Sequence, residues 1–303
     1  MQNRRKFIRN SGLVLSAATL GGLAACSSTD TGGGGGNGDG DGDLLSRLQE
    51  AGTITVGFAG EAPYSFEEDG ELTGATVAMH REIFGELGID EVEGVAVEFG
   101  SLIPGLNAGR FDAVSAGMSI LPERCAEASF SEPEFQYTTA LMVPEGNPED
   151  LVDMNDFVDS DLTIATMTGA IETDYAAQLG LNSIEVGGPQ DGLDAINSGN
   201  ADAFALTGIS LNWMAENSNV DVEVTETFVQ EVDGVLQYGA GGTVFREEDT
   251  SLLDAYNEVL AEIVADEDRY LSIVGDFGFT AEELPPEDMT TELLCEGDLD
   301  ALQ

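Results

Sequence analysis

Basic residues are scarce in this 303-residue chain: 10 Lys and Arg stand against 58 Asp and Glu, a formal net charge of −48. Lys6 is the only lysine, and Arg4, Arg5, Lys6 and Arg9 all lie within the first ten residues. A chain beginning at Cys26 would keep six arginines and no lysine; no acid precedes Cys26, so its charge would be 6 − 58 = −52. That balance excludes nucleic acid and an anionic membrane surface as partners. Histidine is nearly missing too. His80 stands alone, so a Ser-His-Asp arrangement has no evident base, and no Cys/His cluster is available for a transition metal. No cofactor and no metal are expected. Counting acids still leaves a paired-carboxylate hydrolase open. Apolar content is an ordinary 42%, which separates the chain from disordered acidic sequences. An acid excess almost without lysine suits a surface that stays hydrated at very high salt. There the Debye length is only about 3 Å at roughly 1 M, and self-repulsion is screened. The sequence reads as that of an extreme halophile, of archaeal origin.

Long hydrophobic runs are missing as well. Ser11–Leu20 is small and apolar but too short for a comfortable membrane span. Behind Arg4-Arg5-Lys6-Phe7, and followed by Leu23-Ala24-Ala25-Cys26, it reads as a twin-arginine (Tat) export signal ending in a lipoprotein box. Residues 1–26 are therefore assigned to a signal peptide, with Cys26 as the lipid attachment site; a plain cleaved signal is the alternative. Residues 27–46 are assigned to a flexible Gly/Asp-rich linker. Its Asn37–Asp43 stretch alternates acids like a calcium loop but lacks the distal glutamate and flanking helices, so it reads as solvated linker. The expected location is the outer face of the cytoplasmic membrane. Only two further cysteines exist, Cys125 and Cys295. In an exported protein they suggest one disulfide, with two buried thiols as the alternative.

Along the remaining chain, strand and helix signals alternate. Thr53–Phe58, Gly94–Phe99 and Phe111–Ala116 read as strands, with helices over Val77–Leu87 and Ser101–Leu106 between them. Such an order predicts a parallel sheet with right-handed crossovers. Tyr137–Val143 reads as extended and leads to a break at Pro144–Pro148. A second unit follows: strands Leu162–Thr166, Ser183–Val186 and Ala201–Leu206 with helices Glu172–Leu179 and Gln190–Ser198. Tyr238–Phe245 again reads as extended, and helices Ser251–Ala265 and Arg269–Val274 follow. The fold class is α/β, two lobes joined by a two-strand hinge with a cleft between them. Lobe 1 takes residues 47–142 and 238–303, and lobe 2 takes 143–237.

Five motifs occur in order: Gly-Phe-Ala-Gly-Glu-Ala-Pro-Tyr (57–64), Leu-Thr-Gly-Ala (72–75), Ile-Pro-Gly-Leu-Asn-Ala-Gly-Arg-Phe-Asp-Ala (103–113), Gly-Met-Ser-Ile-Leu-Pro-Glu-Arg (117–124) and Phe-Ser-Glu-Pro (130–133). With them the chain resembles the family 3 solute-binding proteins of polar amino-acid ABC importers, over Leu48 to about Cys295. Within that family it looks most like the ectoine/hydroxyectoine binders, through Glu61–Tyr64, Glu98–Leu106, Pro122–Cys125 and the late Leu294-Cys295. The cysteine pair also occurs in that subgroup. The resemblance implies a periplasmic-binding-protein-like fold, no catalysis, a monomer, a small zwitterionic solute as ligand and a membrane permease as partner. Ectoine or hydroxyectoine is the ligand it favours. A polar amino acid is the alternative, and a dehydratase on the same fold is the alternative outside transport.

The resemblance also assigns roles. Arg124, beside Gly117 and Ser119, would clamp the ligand carboxylate as a bidentate fork. The turn Thr168-Gly169-Ala170 would offer backbone N–H groups at a helix start. Ala170 replaces a threonine common in the family, and one hydroxyl contact goes with it. Thr207 stands where amino-acid binders carry an ammonium-binding aspartate, and Glu61 is expected to supply the negative charge instead. Tyr64 and Phe99 would supply aromatic faces for a delocalised cation. Ser119 stands where the ectoine subgroup has a third aromatic, for which Phe135, Phe204 or Phe66 would have to compensate. Each role has a plainer alternative: an ion pair of Arg124 with Glu123 or Glu127, a solvated Glu61, and core packing for the rings. Trp213 is assigned to packing, Asp112 and Asn107 to turn fixing, and Gln190 to either the cleft or a helix start.

Overall fold

The computed structural model describes residues 43–232 and 234–302. The signal segment with Cys26, and the linker up to residue 42, lie outside the described residues. The linker assignment through 46 runs too far. Leu44–Ala51 is a helix, because Asp43 accepts the Ser46 N–H at 2.9 Å as its N-cap and Gly52 closes it at φ 73°.

Two sheets follow. In the first, Thr53–Phe58 pairs in parallel with both Glu91–Ala96 and Ala113–Ser119. Gly239–Phe245 adds antiparallel to Ala113–Ser119, and Ser129–Phe130 and Phe135–Tyr137 pair with its other edge. In the second, Ile164–Met167 pairs in parallel with Ser183–Val186 and Ala203–Thr207. Thr139–Pro144 adds antiparallel to Ala203–Thr207, and Val222–Val224 closes that edge. Each sheet thus has three parallel strands in the order second, first, third, followed by one antiparallel strand. The two units share an architecture without sharing a sequence.

The crossings are short. Phe135–Tyr137 belongs to the first sheet and Thr139–Pro144 to the second, so the chain changes lobe within one residue, Thr138. This places Thr139–Pro144 in the second unit, earlier than a boundary at 142. On the return, a hairpin pairs Glu231-Val232 with Val235-Leu236, and Gly239 re-enters the first sheet.

Helices cover the sheets. Ala75–Glu86 buries Val77, Met79, Ile83 and Phe84, and Thr250–Val264 buries Leu252, Tyr256, Leu260 and Ile263. Full burial of each such side chain contributes about 1.5–3 kcal/mol. His80 lies inside this layer, hydrogen-bonded to Thr243, and burial drives its pKa down to about 3. It is a neutral core residue. Among the described residues, no helix is long and apolar enough to cross a membrane.

Candidate functional site

In an α/β sheet the crevice for a ligand lies beyond the carboxyl ends of the parallel strands. Both sheets follow that geometry here. Glu61 follows Phe58, Phe99 follows Ala96, and Arg124 follows Ser119. From the second sheet, Gly169 follows Met167, and Ser210 follows Thr207.

The two lobes touch along this line. Arg124 donates from Nη1 to the Ser119 carbonyl at 2.9 Å and from Nη2 across the lobe boundary to the Gly169 carbonyl at 2.8 Å. Its guanidinium carbon stands 5.6 Å from the centre of the Phe99 ring, within cation–π range. Arg246 and Arg269 make ion pairs, but among the described residues Arg124 has none, so the pairing with Glu123 or Glu127 is not formed. Burial pulls its pKa below the ordinary value. Glycines allow this closeness. Gly169 has φ +81°, and a Cβ there would stand 3.3 Å from Gly100 Cα on the facing lobe. Gly117 has φ +59°, and a Cβ there would meet the Tyr64 ring at 2.5 Å.

Glu61 makes the second crossing. It is 4% exposed, and its Oε1 accepts from Ser210 Oγ at 2.7 Å and from Thr207 Oγ1 at 3.5 Å. Loss of hydration pushes its pKa up to about 7, against those hydrogen bonds, and the neighbouring charge of Glu172 adds to the rise. Glu61 is therefore a buried acid held by hydroxyls, not a solvated surface carboxylate.

Tyr64 packs on Phe135 and Phe279, with ring centres at 5.2 and 5.7 Å. Its buried hydroxyl lies beside Thr207 and Glu61, and burial holds its pKa well above the ordinary value. Phe135 belongs to this cluster, Phe204 is wholly buried against Gly192, and Phe66 pairs with Trp213 at 5.8 Å. Tyr137 is the ring that reaches Ser119, donating its hydroxyl to Ser119 Oγ. Sequence reasoning passed over it because it stood in what read only as a crossing strand.

The Gly169-Ala170 turn also departs from expectation. Gly169 meets Arg124 through its carbonyl, and the Ala170 N–H donates to Met167 at 2.9 Å. The first turn of helix Ile171–Leu179 is occupied by an acid of its own. Glu172, 1% exposed, folds its carboxylate onto its own backbone N–H and accepts from Thr139 Oγ1 at 3.4 Å. Burial raises its pKa to about 7, while the Arg124 charge opposes the rise. Ser210 and Glu172 were both missed, though each lies within a few residues of a strand end. The other candidates settle as structural parts. Asp112 accepts from the Thr55 N–H, Asn107 donates to the Glu127 carbonyl, and Gln190 donates to Asp194 on an exposed helix face.

Among the described residues, two cavities border Tyr238 at the lobe boundary. One, of about 460 Å³, is bounded by Tyr137, Thr138, Gly208, Trp213 and Tyr238. The other, of about 210 Å³, is bounded by Ser119, Tyr175, Tyr238 and Leu294.

The raised acids set a pH dependence. The folded protein keeps protons on Glu61 and Glu172 up to about pH 7, whereas the unfolded chain releases them near 4.5. The folded state binds more protons in that window, so stability falls as pH rises through it. The melting temperature at fixed molar salt, without ligand, should decline from pH 5 to 8, and Glu61→Gln should flatten the decline. Equal slopes for the two proteins would show that Glu61 is not the group responsible.

Residues 54–272 match the family described as bacterial extracellular solute-binding proteins, family 3. The Sinorhizobium fredii protein named "Probable amino-acid ABC transporter periplasmic-binding protein y4tE" is 34% identical over 259 residues, 83% of this chain and 85% of its own. Among solved structures, EhuB in complex with hydroxyectoine superposes with a TM-score of 0.74 at 32% identity, covering 83% of this chain and 97% of EhuB. An ancestral arginine-binding protein bound to arginine superposes with a TM-score of 0.65 at 25% identity, covering 75% and 98%. The chain belongs to the family 3 extracellular solute-binding proteins and is a solute-binding protein of an amino-acid-type ABC transporter.

Proposed function

We propose that the protein captures a compact zwitterion, ectoine or hydroxyectoine, between its lobes and presents it to a membrane permease. The observation that carries this reading is the pair of contacts across the lobe boundary: Arg124 to Gly169 at one place, Ser210 to Glu61 at another. A cation and an acid on one lobe each engage the other lobe, so a ligand with both charges would join the two halves. Arg124 uses two of its five N–H donors on carbonyls, which leaves others for a carboxylate. Glu61 suits a cation, and Phe99 suits a delocalised one. Thr207 in place of an aspartate disfavours an ordinary α-ammonium group. The likeness to EhuB agrees with that choice. Binding would proceed by hinge closure at Thr138 and Gln237-Tyr238. The role is capture and release, without catalysis.

The same proposal extends to the N-terminal segment, on sequence grounds. The basic start, the short apolar stretch and the box ending at Cys26 support twin-arginine export and lipid anchoring on the outer face of the membrane. The acid excess supports a halophilic, archaeal setting.

A thermal-shift screen in molar salt with ectoine, hydroxyectoine and the twenty amino acids tests the ligand. A solute at 100 times its Kd stabilises by about 2.7 kcal/mol, roughly 5–10 °C for a domain of this size. Ectoine or hydroxyectoine should give the largest shift. A shift from a polar amino acid with none from ectoine would move the assignment to that amino acid.

A further inference from the structure

The aromatic pair Phe66–Trp213 plays no part in the reading above, yet it too joins the lobes. Phe66 opens the small hairpin of Phe66–Glu68 with Glu71–Thr73 on the first lobe, and Trp213 lies on helix Gly208–Asn217 of the second. Their ring centres stand 5.8 Å apart at an interplanar angle of 58°, within the range where aromatic pairs attract beyond their buried area. The pair shares both of its supports with the Glu61 crossing. Ser210 and Trp213 are one helical turn apart and lie on one face of their helix. Glu61 bridges to Ser65, the residue before Phe66. A second observation concerns water. Phe66 borders an open groove of about 580 Å³ with Ala62 and Gly187, and Trp213 borders the cavity of about 460 Å³. Both rings are half-buried, so solvent reaches the pair. Neither hollow reaches Glu61, which is only 4% exposed.

We propose that Phe66 and Trp213 are positioning residues that seal the Glu61 end of the cleft against salt water, resting on the reading that Glu61 holds the cationic end of the solute. The seal matters because an exposed charge pair is weak in brine. At about 1 M salt the Debye length is about 3 Å, so a cation on an open carboxylate is largely screened, whereas a buried pair is screened much less. Two rings meeting across the lobe boundary keep water and ions from the contact beside them, as the rim of a tight interface does for its centre. Their own attraction adds to the closed state. The affinity of the sealed site is therefore nearly independent of salt.

The test is calorimetric titration with two probes, ectoine and L-arginine, in roughly 0.5 M and roughly 3 M NaCl. It is run at about pH 8, where Glu61, with a pKa of about 7, is ionised. The wild type should bind its probe with a Kd that differs by less than about twofold between the two salts. Phe66→Ala should bind about tenfold more weakly in the lower salt. It should lose about fivefold more in the higher one, the value of an open ion pair. Acrylamide should quench Trp213, the only tryptophan, more strongly in the probe-bound alanine variant than in the probe-bound wild type. Phe66→Tyr keeps a ring and should restore the wild-type values. Phe66→Leu, the milder substitution for folding, should show the salt dependence of the alanine variant. A Phe66→Ala protein that melts earlier but keeps a salt-independent Kd would overturn the seal and leave the ligand site standing. A wild type that binds neither probe in either salt would overturn the zwitterion reading, and the seal with it.

Discussion

Arg124→Ala should lose about 100-fold or more in affinity for a carboxylate-bearing solute. Removing one partner of a buried, hydrogen-bonded charge pair costs about 2–5 kcal/mol, which is roughly 30- to 5,000-fold in Kd. Two further losses push toward the upper part of that range. The bond from Arg124 to the Gly169 carbonyl crosses the lobe boundary, so closure itself is weakened. The Phe99 ring loses the cation above it. Arg124→Lys should recover little. An ammonium is a point charge without the planar fork that spans Ser119, Gly169 and a carboxylate together. Neither variant should unfold the protein, because no ion pair among the described residues depends on Arg124. Calorimetry against the solute found in the thermal screen measures the loss. An Arg124→Ala affinity within about threefold of wild type would remove Arg124 from the site.

The elements that could be read from the sequence are those whose local chemistry agrees with their place in the fold. Thr53–Phe58 and Ser183–Val186 appear with the limits expected, since β-branched residues bounded by turn residues leave little choice. Gly94–Phe99 shows the reverse. The strand is Glu91–Ala96, and Phe99 opens a 3₁₀ turn. Glu91 and Glu93 face water on an edge strand, so their polarity hid the strand, while the aromatic looked like its end. The small hairpin Phe66–Glu68 with Glu71–Thr73 escaped for the same reason. In the site, Arg124 and Glu61 were legible because each is chemically conspicuous in its motif. Tyr137, Ser210 and Glu172 were not. A tyrosine in a crossing strand, a serine in a helix and one glutamate among 58 acids carry no local signal. Only the close approach of the two lobes gives them partners. At the Gly169-Ala170 turn the sequence does not say whether an N–H is already taken, and the Met167 carbonyl takes that of Ala170.

The double substitution Cys125→Ser, Cys295→Ser should produce the largest fall in stability, with a much smaller change in binding. The structure bonds these two cysteines, Cα atoms 5.7 Å apart, across a sequence separation of 170. That loop contains the outward crossing, the whole second sheet and the return crossing. Opening it releases chain entropy worth about 5 kcal/mol in the unfolded state. For a domain of this size, that is a fall in melting temperature of roughly 10–20 °C. The bond joins helix Pro122–Cys125 to helix Thr291–Glu296, and a Cβ on Gly297 would stand 3.2 Å from the Pro122 ring. Losing it should therefore loosen the C-terminal segment first. Arg124 neighbours Cys125, yet its guanidinium is oriented by the Ser119 and Gly169 carbonyls, which the substitution leaves in place. Affinity measured well below the new melting point should stay within about threefold. Reducing agent added to the wild type should reproduce the fall in melting temperature, and the double-serine variant should not respond to it. A variant melting within 2–3 °C of wild type, on the same roughly 2–4 °C per kcal/mol scale, would mean that the bond does not constrain the unfolded chain. A large loss of affinity at full folding would mean that Arg124 is positioned by the disulfide and not by the two carbonyls.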